Sequence, residues 1–129
     1  MKVRCTANHL RFRLRKSDVE ELSSRQSVRE TILVAPGQSL AFELAIAPAE
    51  AAAPSFLEGL LRIALPAAAA RHWIETDEVG IELRHRLDNG DVLDILIEKD
   101  FPCKHQPQED KGDTFQELAK KRGSAEVKQ

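Results

Sequence analysis

Tyrosine is absent from this chain of 129 residues, tryptophan occurs once, and aromatic residues make up only 5%. Such a chain has few of the rings that stack on nucleobases or anchor protein interfaces. Its core must come from Leu, Ile, Val and Ala within an apolar fraction of 42%. The two cysteines, Cys5 and Cys103, lie far apart, which excludes a disulfide-dense framework. No stretch approaches the roughly 18–20 consecutive apolar residues of a membrane span, and the start Met1-Lys2-Val3 lacks the apolar run of a signal peptide. A reduced, cytoplasmic setting away from membranes is therefore expected. The glycines are scattered rather than gathered into a phosphate-binding loop, and no Ser-His-Asp order or nucleophile elbow occurs. Nothing here points to an enzyme.

A formal net charge of −2 gives no global steering toward nucleic acid or acidic membranes. The distribution is less even than the sum. Residues 1–16 hold Lys2, Arg4, Arg11, Arg13, Arg15 and Lys16 with no acid, so the remainder carries −8. Within that basic end, Leu10, Phe12 and Leu14 alternate with Arg11, Arg13 and Arg15. This is the period of a half-buried strand with one apolar and one cationic face.

Two stretches repeat one order of strand, short helix and hairpin, the first from about Leu10 to Ile46 and the second from about Leu61 to Ile97. A shift of 51 sets Leu10, Arg11, Leu14, Leu22 and Val28 on Leu61, Arg62, Leu65, Trp73 and Val79. A shift of 53 sets Gly37, Leu40, Phe42 and Leu44 on Gly90, Leu93, Ile95 and Ile97, so the second hairpin is expected to be two residues longer. In the first copy Ser17-Asp18-Val19-Glu20 reads as a capping box opening a helix of about two turns. Val28–Val34 and Leu40–Ile46 read as a hairpin turning at Pro36-Gly37. In the second, Leu60–Leu65 is a strand, Pro66 opens a helix through Ala67–Ala70, and Trp73 caps its apolar face. Val79, Ile81 and Leu83 then alternate with polar residues, and Asp88-Asn89-Gly90 is a tight-turn signal before Val92–Ile97. The Ala- and Pro-rich stretch 47–56 reads as the linker.

A unit of about forty residues cannot bury a core alone. The fold class expected is therefore α+β, a small and mainly antiparallel β-barrel made of two strand–helix–hairpin pseudo-repeats. A single domain would span 1–105, with repeat one at about 3–46 and repeat two at about 57–101, followed by a polar tail at 106–129.

The text Leu61-Arg62-Ile63-Ala64-Leu65-Pro66, a short helix, Asp77-Glu78-Val79 and a hairpin resembles AbrB-like swapped-hairpin transcription factors and antitoxins. The first copy follows the pattern more loosely, with Arg15 where Pro66 stands, and Glu75-Thr76-Asp77 lacks the glycine the family often carries. This resemblance implies two units closing on each other, either as a monomeric pseudo-dimer or in a homodimer, and binding to DNA or to a protein partner. The chain as a whole is also similar to a bacterial family of uncharacterised proteins with a basic N-terminal strand and an ending like Glu98-Lys99-Asp100-Phe101-Pro102-Cys103. That second resemblance implies a fold and no chemistry.

Two functional readings follow. In the first, a non-enzymatic regulatory or interaction protein binds DNA in the AbrB manner through Arg11, Arg13, Arg15, Lys16, Arg62, Arg71, Arg84 and Arg86, whose charge would neutralise phosphates. The plainer account of Arg11, Arg13 and Arg15 is a solvated strand face paired with Glu30 or Glu43. In the second, Cys103 and His105, with Glu98 and Asp100 before them and Glu109, Asp110 and Asp113 after, bind a metal ion for a structural or catalytic purpose. The C-x-H spacing matches no established zinc motif, and Cys103 would otherwise cover one edge of the core. No other cofactor is expected. His9, His72 and His85 read as surface residues, and Glu20-Glu21 as a helix surface. In the tail, Asp113-Thr114 before Phe115, Leu118 and Ala119 permits a short amphipathic helix able to dock, as against a solvated segment.

Overall fold

The computed structural model describes residues 1–48 and 53–101. Period-two alternation governs its strands. In β2 (His9–Leu14) the apolar Leu10, Phe12 and Leu14 are buried, and His9, Arg11 and Arg13 turn to the other face. The preceding strand β1 (Lys2–Thr6) runs antiparallel to it, setting Lys2 opposite Arg13 and Arg4 opposite Arg11. A left-handed Asn8 makes the turn between them.

Helix α1 (Lys16–Arg25) follows directly and is nearly three turns long, with Leu22 fully buried. The expected Ser17 cap is not used. Instead the Arg15 backbone N–H donates to Asp18 Oδ2 at 2.9 Å, so the acidic residue of the first turn holds the helix entrance. Strands β3 (Ser27–Ala35) and β4 (Gln38–Ala47) then form an antiparallel hairpin turning at Pro36-Gly37.

The same order recurs as β5 (Ala53–Leu57), β6 (Leu60–Pro66), α2 (Ala67–Glu75), β7 (Gly80–Arg86) and β8 (Val92–Lys99). Strand β5 takes in the last four residues, 53–56, of the stretch expected to be linker. Its Pro54 is tolerated because β5 is an edge strand, where one amide needs no ladder partner. Pro66 ends β6 and caps α2 rather than lying inside it.

The hairpins pair crosswise. Sheet I has the order β1-β2-β8-β7 and sheet II the order β3-β4-β6-β5. Each sheet joins an early hairpin to a late one through a central parallel pair, β2 with β8 and β4 with β6, while the outer pairs are antiparallel. The architecture of the described residues is thus α+β with two helices and two mixed four-stranded sheets. Among the described residues neither sheet closes on itself and no ladder joins one to the other, so the expected barrel is not formed. Inner faces of both sheets, with Leu22 and Trp73 from the helices, supply one apolar cluster.

Corresponding ladder positions carry the offsets seen in the sequence. Leu10 faces Ile95 where Leu61 faces Phe42, and Phe12 faces Ile97 where Ile63 faces Leu44. Backbone bonds outside the ladders match as well: Ala41 N–H donates to the Gly59 carbonyl and Asp94 N–H to that of Asn8, while Ile46 N–H donates to Gln26 and Lys99 N–H to Val79. Since Val28 faces Leu44 and Ile81 faces Ile97, Val28 corresponds to Ile81 and not to Val79. The extra residues of the second half therefore lie between α2 and β7, not in the hairpin. There Trp73 Nε1–H donates to the Val79 carbonyl at 2.9 Å, which satisfies the indole of a buried ring.

Candidate functional site

The ladders fix which side chains share a face. Because directly opposed residues point the same way, Lys2 and Arg4 of β1 join Arg11 and Arg13 of β2 on the outer face of sheet I. The register of β7 and β8 adds Glu82, Arg84 and Arg86, and Asp94 and Glu98, to that face. The result is a basic half on β1 and β2 beside a mixed half on β7 and β8. Two pairs of cations sit directly opposite each other across β1 and β2, an arrangement that costs stability in itself.

Carboxylates answer part of this charge. Glu98, nearly buried, accepts from Arg11 Nε at 2.7 Å and lies 3.2 Å from Arg13 Nε. Asp100 lies 3.4 Å from Arg13 Nη2 and 3.3 Å from Lys2 Nζ. These, rather than Glu30 or Glu43, are the partners of the basic strand. At the far edge Arg84 meets Asp94 at 3.1 Å with both side chains well exposed. Arg4 and Arg86 are exposed and have no carboxylate partner among the described residues.

Of the eight basic residues expected to act together, Arg11, Arg13, Arg84 and Arg86 share this face. The other four lie elsewhere. Arg15 and Lys16 stand at the entrance of α1, where Arg15 Nε is 3.5 Å from Asp18. Arg62 belongs to the outer face of sheet II, 3.5 Å from Glu43, which also receives Arg29. Arg71 lies on α2, beside a small surface hollow lined by Ser23, Gln26 and Ile46. Lys2 and Arg4, which complete the basic half, were not among the expected residues; their alternation with Val3 and Cys5 is the strand signal that would have found them.

Among the described residues Asp18 is the one titratable group clearly displaced. Burial pushes its pKa up and is the largest single influence, but it is outweighed by hydrogen bonds from the Met1 α-amino group and the Arg15 amide and by attraction to both cations. The net result is a carboxyl held below its usual range, a mark of a structural ion pair.

The candidate metal ligands Cys103 and His105, like Glu109, Asp110, Asp113 and the amphipathic segment at Phe115, lie outside the described residues. Among the described residues no group of three or more His, Cys, Asp or Glu side chains is placed to hold a metal ion. The described cysteine, Cys5, is a free thiol. No helix of the described residues is long and apolar enough to cross a membrane.

The sequence profile of a family of unknown function, DUF7009, matches residues 1–119, nearly the whole chain. The chain belongs to this family. No curated protein and no solved structure matches it. The DUF7009 match spans both four-stranded sheets and runs past the end of β8, so the basic face of sheet I lies within the family unit.

Proposed function

We propose that this DUF7009 protein is a non-catalytic binding module, a tandem swapped-hairpin unit of the AbrB-like kind, that engages DNA through the outer face of sheet I. The crosswise pairing of hairpins and the matched offsets of the two parallel ladders support the tandem reading. The observation that carries the binding surface is the set of Lys2, Arg4, Arg11 and Arg13 on one face of two paired strands, with Arg84 and Arg86 at the far edge. Folding alone gains nothing from opposing like charges in a ladder, whereas a phosphate backbone lying along β1 and β2 would be met by successive cations and would release its counterions. Glu98 holds Arg11 and Arg13 in place from the neighbouring strand β8. With few aromatic residues and no tyrosine, the face is suited to backbone contact rather than to base stacking.

Duplex retention measured against salt tests this. Four phosphate contacts give a slope of log K against log salt of roughly −3 to −4. The double variant Arg4→Glu, Arg86→Glu breaks no ion pair among the described residues and should lower affinity by about tenfold or more and flatten the slope by about 1–2. If the wild-type chain ignores duplex DNA even at about 50 mM salt, the reading fails.

A further inference from the structure

The arginines on the outer face of sheet I are held in three different ways. Arg11 commits both Nε and Nη2 to Glu98, and Arg13 turns Nε toward Glu98 and Nη2 toward Asp100. One whole donor edge of each is occupied, and what remains is fixed positive charge. Arg4 and Arg86 have no carboxylate partner among the described residues, so no ion pair sets the plane of either guanidinium. Arg84 is the third kind. Its Nε donates to Asp94 Oδ1 at 3.1 Å, while neither Nη group has a partner among the described residues and the side chain stands well out in water. A single bond through Nε thus orients a fork whose terminal donors are unused.

From this contrast we infer that Arg84 reads guanine in the major groove, which makes G·C base pairs the preferred target of the duplex contact proposed above, on which this role rests. A planar guanidinium presents its donors in a fixed fork that matches the O6 and N7 acceptors of guanine, a pair that no other base offers there. Holding the fork in advance lowers the cost of ordering it on binding. The surroundings of Arg84 favour a base edge over a phosphate. Asp94, directly opposite, and Glu82 share with Arg84 a surface hollow of about 280 Å³. Two carboxylates repel a phosphate, whereas the edge of a base pair is neutral. A G·C edge also carries a donor, cytosine N4, and Asp94 keeps Oδ2 outside its bond to Arg84 as an acceptor. An A·T edge sets an amino donor beside the purine N7, so the fork loses one of its two acceptors. The strand order agrees with this division. Strand β7 stands two strand spacings, about 10 Å, from β2. With a phosphate backbone along β1 and β2, Arg84 therefore stands over a groove about 12 Å wide rather than over the same ridge. Hydrogen bonding to a base edge needs no stacking ring, so it suits a chain with 5% aromatic residues.

Three duplexes of equal length test this at one salt concentration: alternating G·C, the same sequence with 7-deazaguanine, and alternating A·T. The modified base lacks N7 but keeps its pairing and its phosphate charge. The wild-type chain should hold the G·C duplex at least about fivefold tighter than the A·T duplex, and 7-deazaguanine should remove most of that preference. Arg84→Lys keeps the charge without the fork, so the preference should vanish while affinity for the A·T duplex stays within about twofold. Asp94→Ala should move the two duplexes in opposite senses, tightening A·T through the loss of a negative charge and lowering the preference for G·C by releasing the fork. Both side chains are exposed, and circular dichroism of the two variants should match the wild type. Equal retention of all three duplexes with the salt dependence intact overturns base reading at Arg84 and leaves the DNA contact standing. A preference that survives Arg84→Lys overturns it too. A wild-type chain that retains no duplex at about 50 mM salt overturns the DNA contact itself, and base reading with it.

Discussion

Sheet I and sheet II are assembled from the same pieces in the same register, yet they present opposite chemistry to water. Each has a parallel centre flanked by antiparallel edges, and each inner face gives the same rows of apolar residues to one core. Outside, sheet I shows arginines ordered by Glu98 and Asp100, and sheet II shows alanines, serines and an apolar end around a single Arg29–Glu43–Arg62 group. The lesson is that inner faces are held alike by packing, which tolerates little change of volume. Outer faces carry no such constraint, so divergence there is where binding surfaces can arise.

The sharpest way to test the equivalence of the halves is to remove their matching helix anchors. Leu22 in α1 stands where Trp73 stands in α2, and both are almost fully buried. Trp73→Ala should cost about 3–5 kcal/mol and Leu22→Ala about 2–4 kcal/mol, read as shifts of the denaturant midpoint. A two-state transition in both variants, with the whole chain unfolding at once, is expected because one core serves both halves. Separate transitions for the two sheets would break the comparison at its root.

The turns between the first two strands of each half come next. Gly59 has a φ of 79°, and a Cβ built there would lie 2.5 Å from the Ser39 carbonyl oxygen. Its counterpart Asn8 adopts a φ of 55°, a left-handed conformation that asparagine accepts. Gly59→Ala should therefore destabilise by about 1–3 kcal/mol, while Asn8→Gly should change stability by less than about 0.5 kcal/mol. Thermal melts of the two variants provide the check.

Much of this architecture was legible in the sequence because it depends on periodicity. Leu10, Phe12 and Leu14 announced β2 and Pro66 before four alanines announced α2; the offsets of 51 and 53 recur between paired positions of the two parallel ladders, but the change from one to the other falls before β7 and not in the hairpin where it was expected. Strands β1 and β5 went unread because each is an edge of only five residues: in β1 the alternation of Lys2 and Arg4 with Val3 and Cys5 covers barely two periods, and β5 contains a proline. Crosswise pairing was beyond composition altogether, since no local signal says which hairpin a strand will join. The basic face was half legible for the same reason. Arg11 and Arg13 could be placed on one side of a strand, but Arg84 and Arg86 come beside them only through the pairing of β8 with β2.

A smaller contrast lies at the helix entrances. Asp18 guards α1, whereas the matching place in α2 is Ala69 after Pro66. A carboxyl whose folded pKa is depressed stabilises the fold above its unfolded value near 3.8 and loses that contribution as pH falls through the folded value. Asp18→Asn should thus lower stability at neutral pH and reduce the loss of stability that the wild type shows on acidification below about pH 4. Midpoints measured at intervals from neutral to strongly acidic pH would show it, and an unchanged acid limb would count against Asp18 as the responsible group.

The least effect should come from the ion pairs that distinguish the two outer faces. Arg84 and Asp94 meet at 3.1 Å on sheet I with side chains 76% and 41% exposed, so water and salt already screen them. Arg84→Ala should change stability by no more than about 0.5 kcal/mol. Arg29→Ala on sheet II should cost more, because Glu43 is nearly buried and would lose the donors that reach it from Nε and Nη2 at 3.0 and 2.6 Å. On DNA the order should reverse: Arg84→Ala removes a cation from the proposed contact face and weakens retention, and Arg29→Ala leaves it unchanged. Stability and binding ranked in the same order would mean that the two faces do not divide the work in this way.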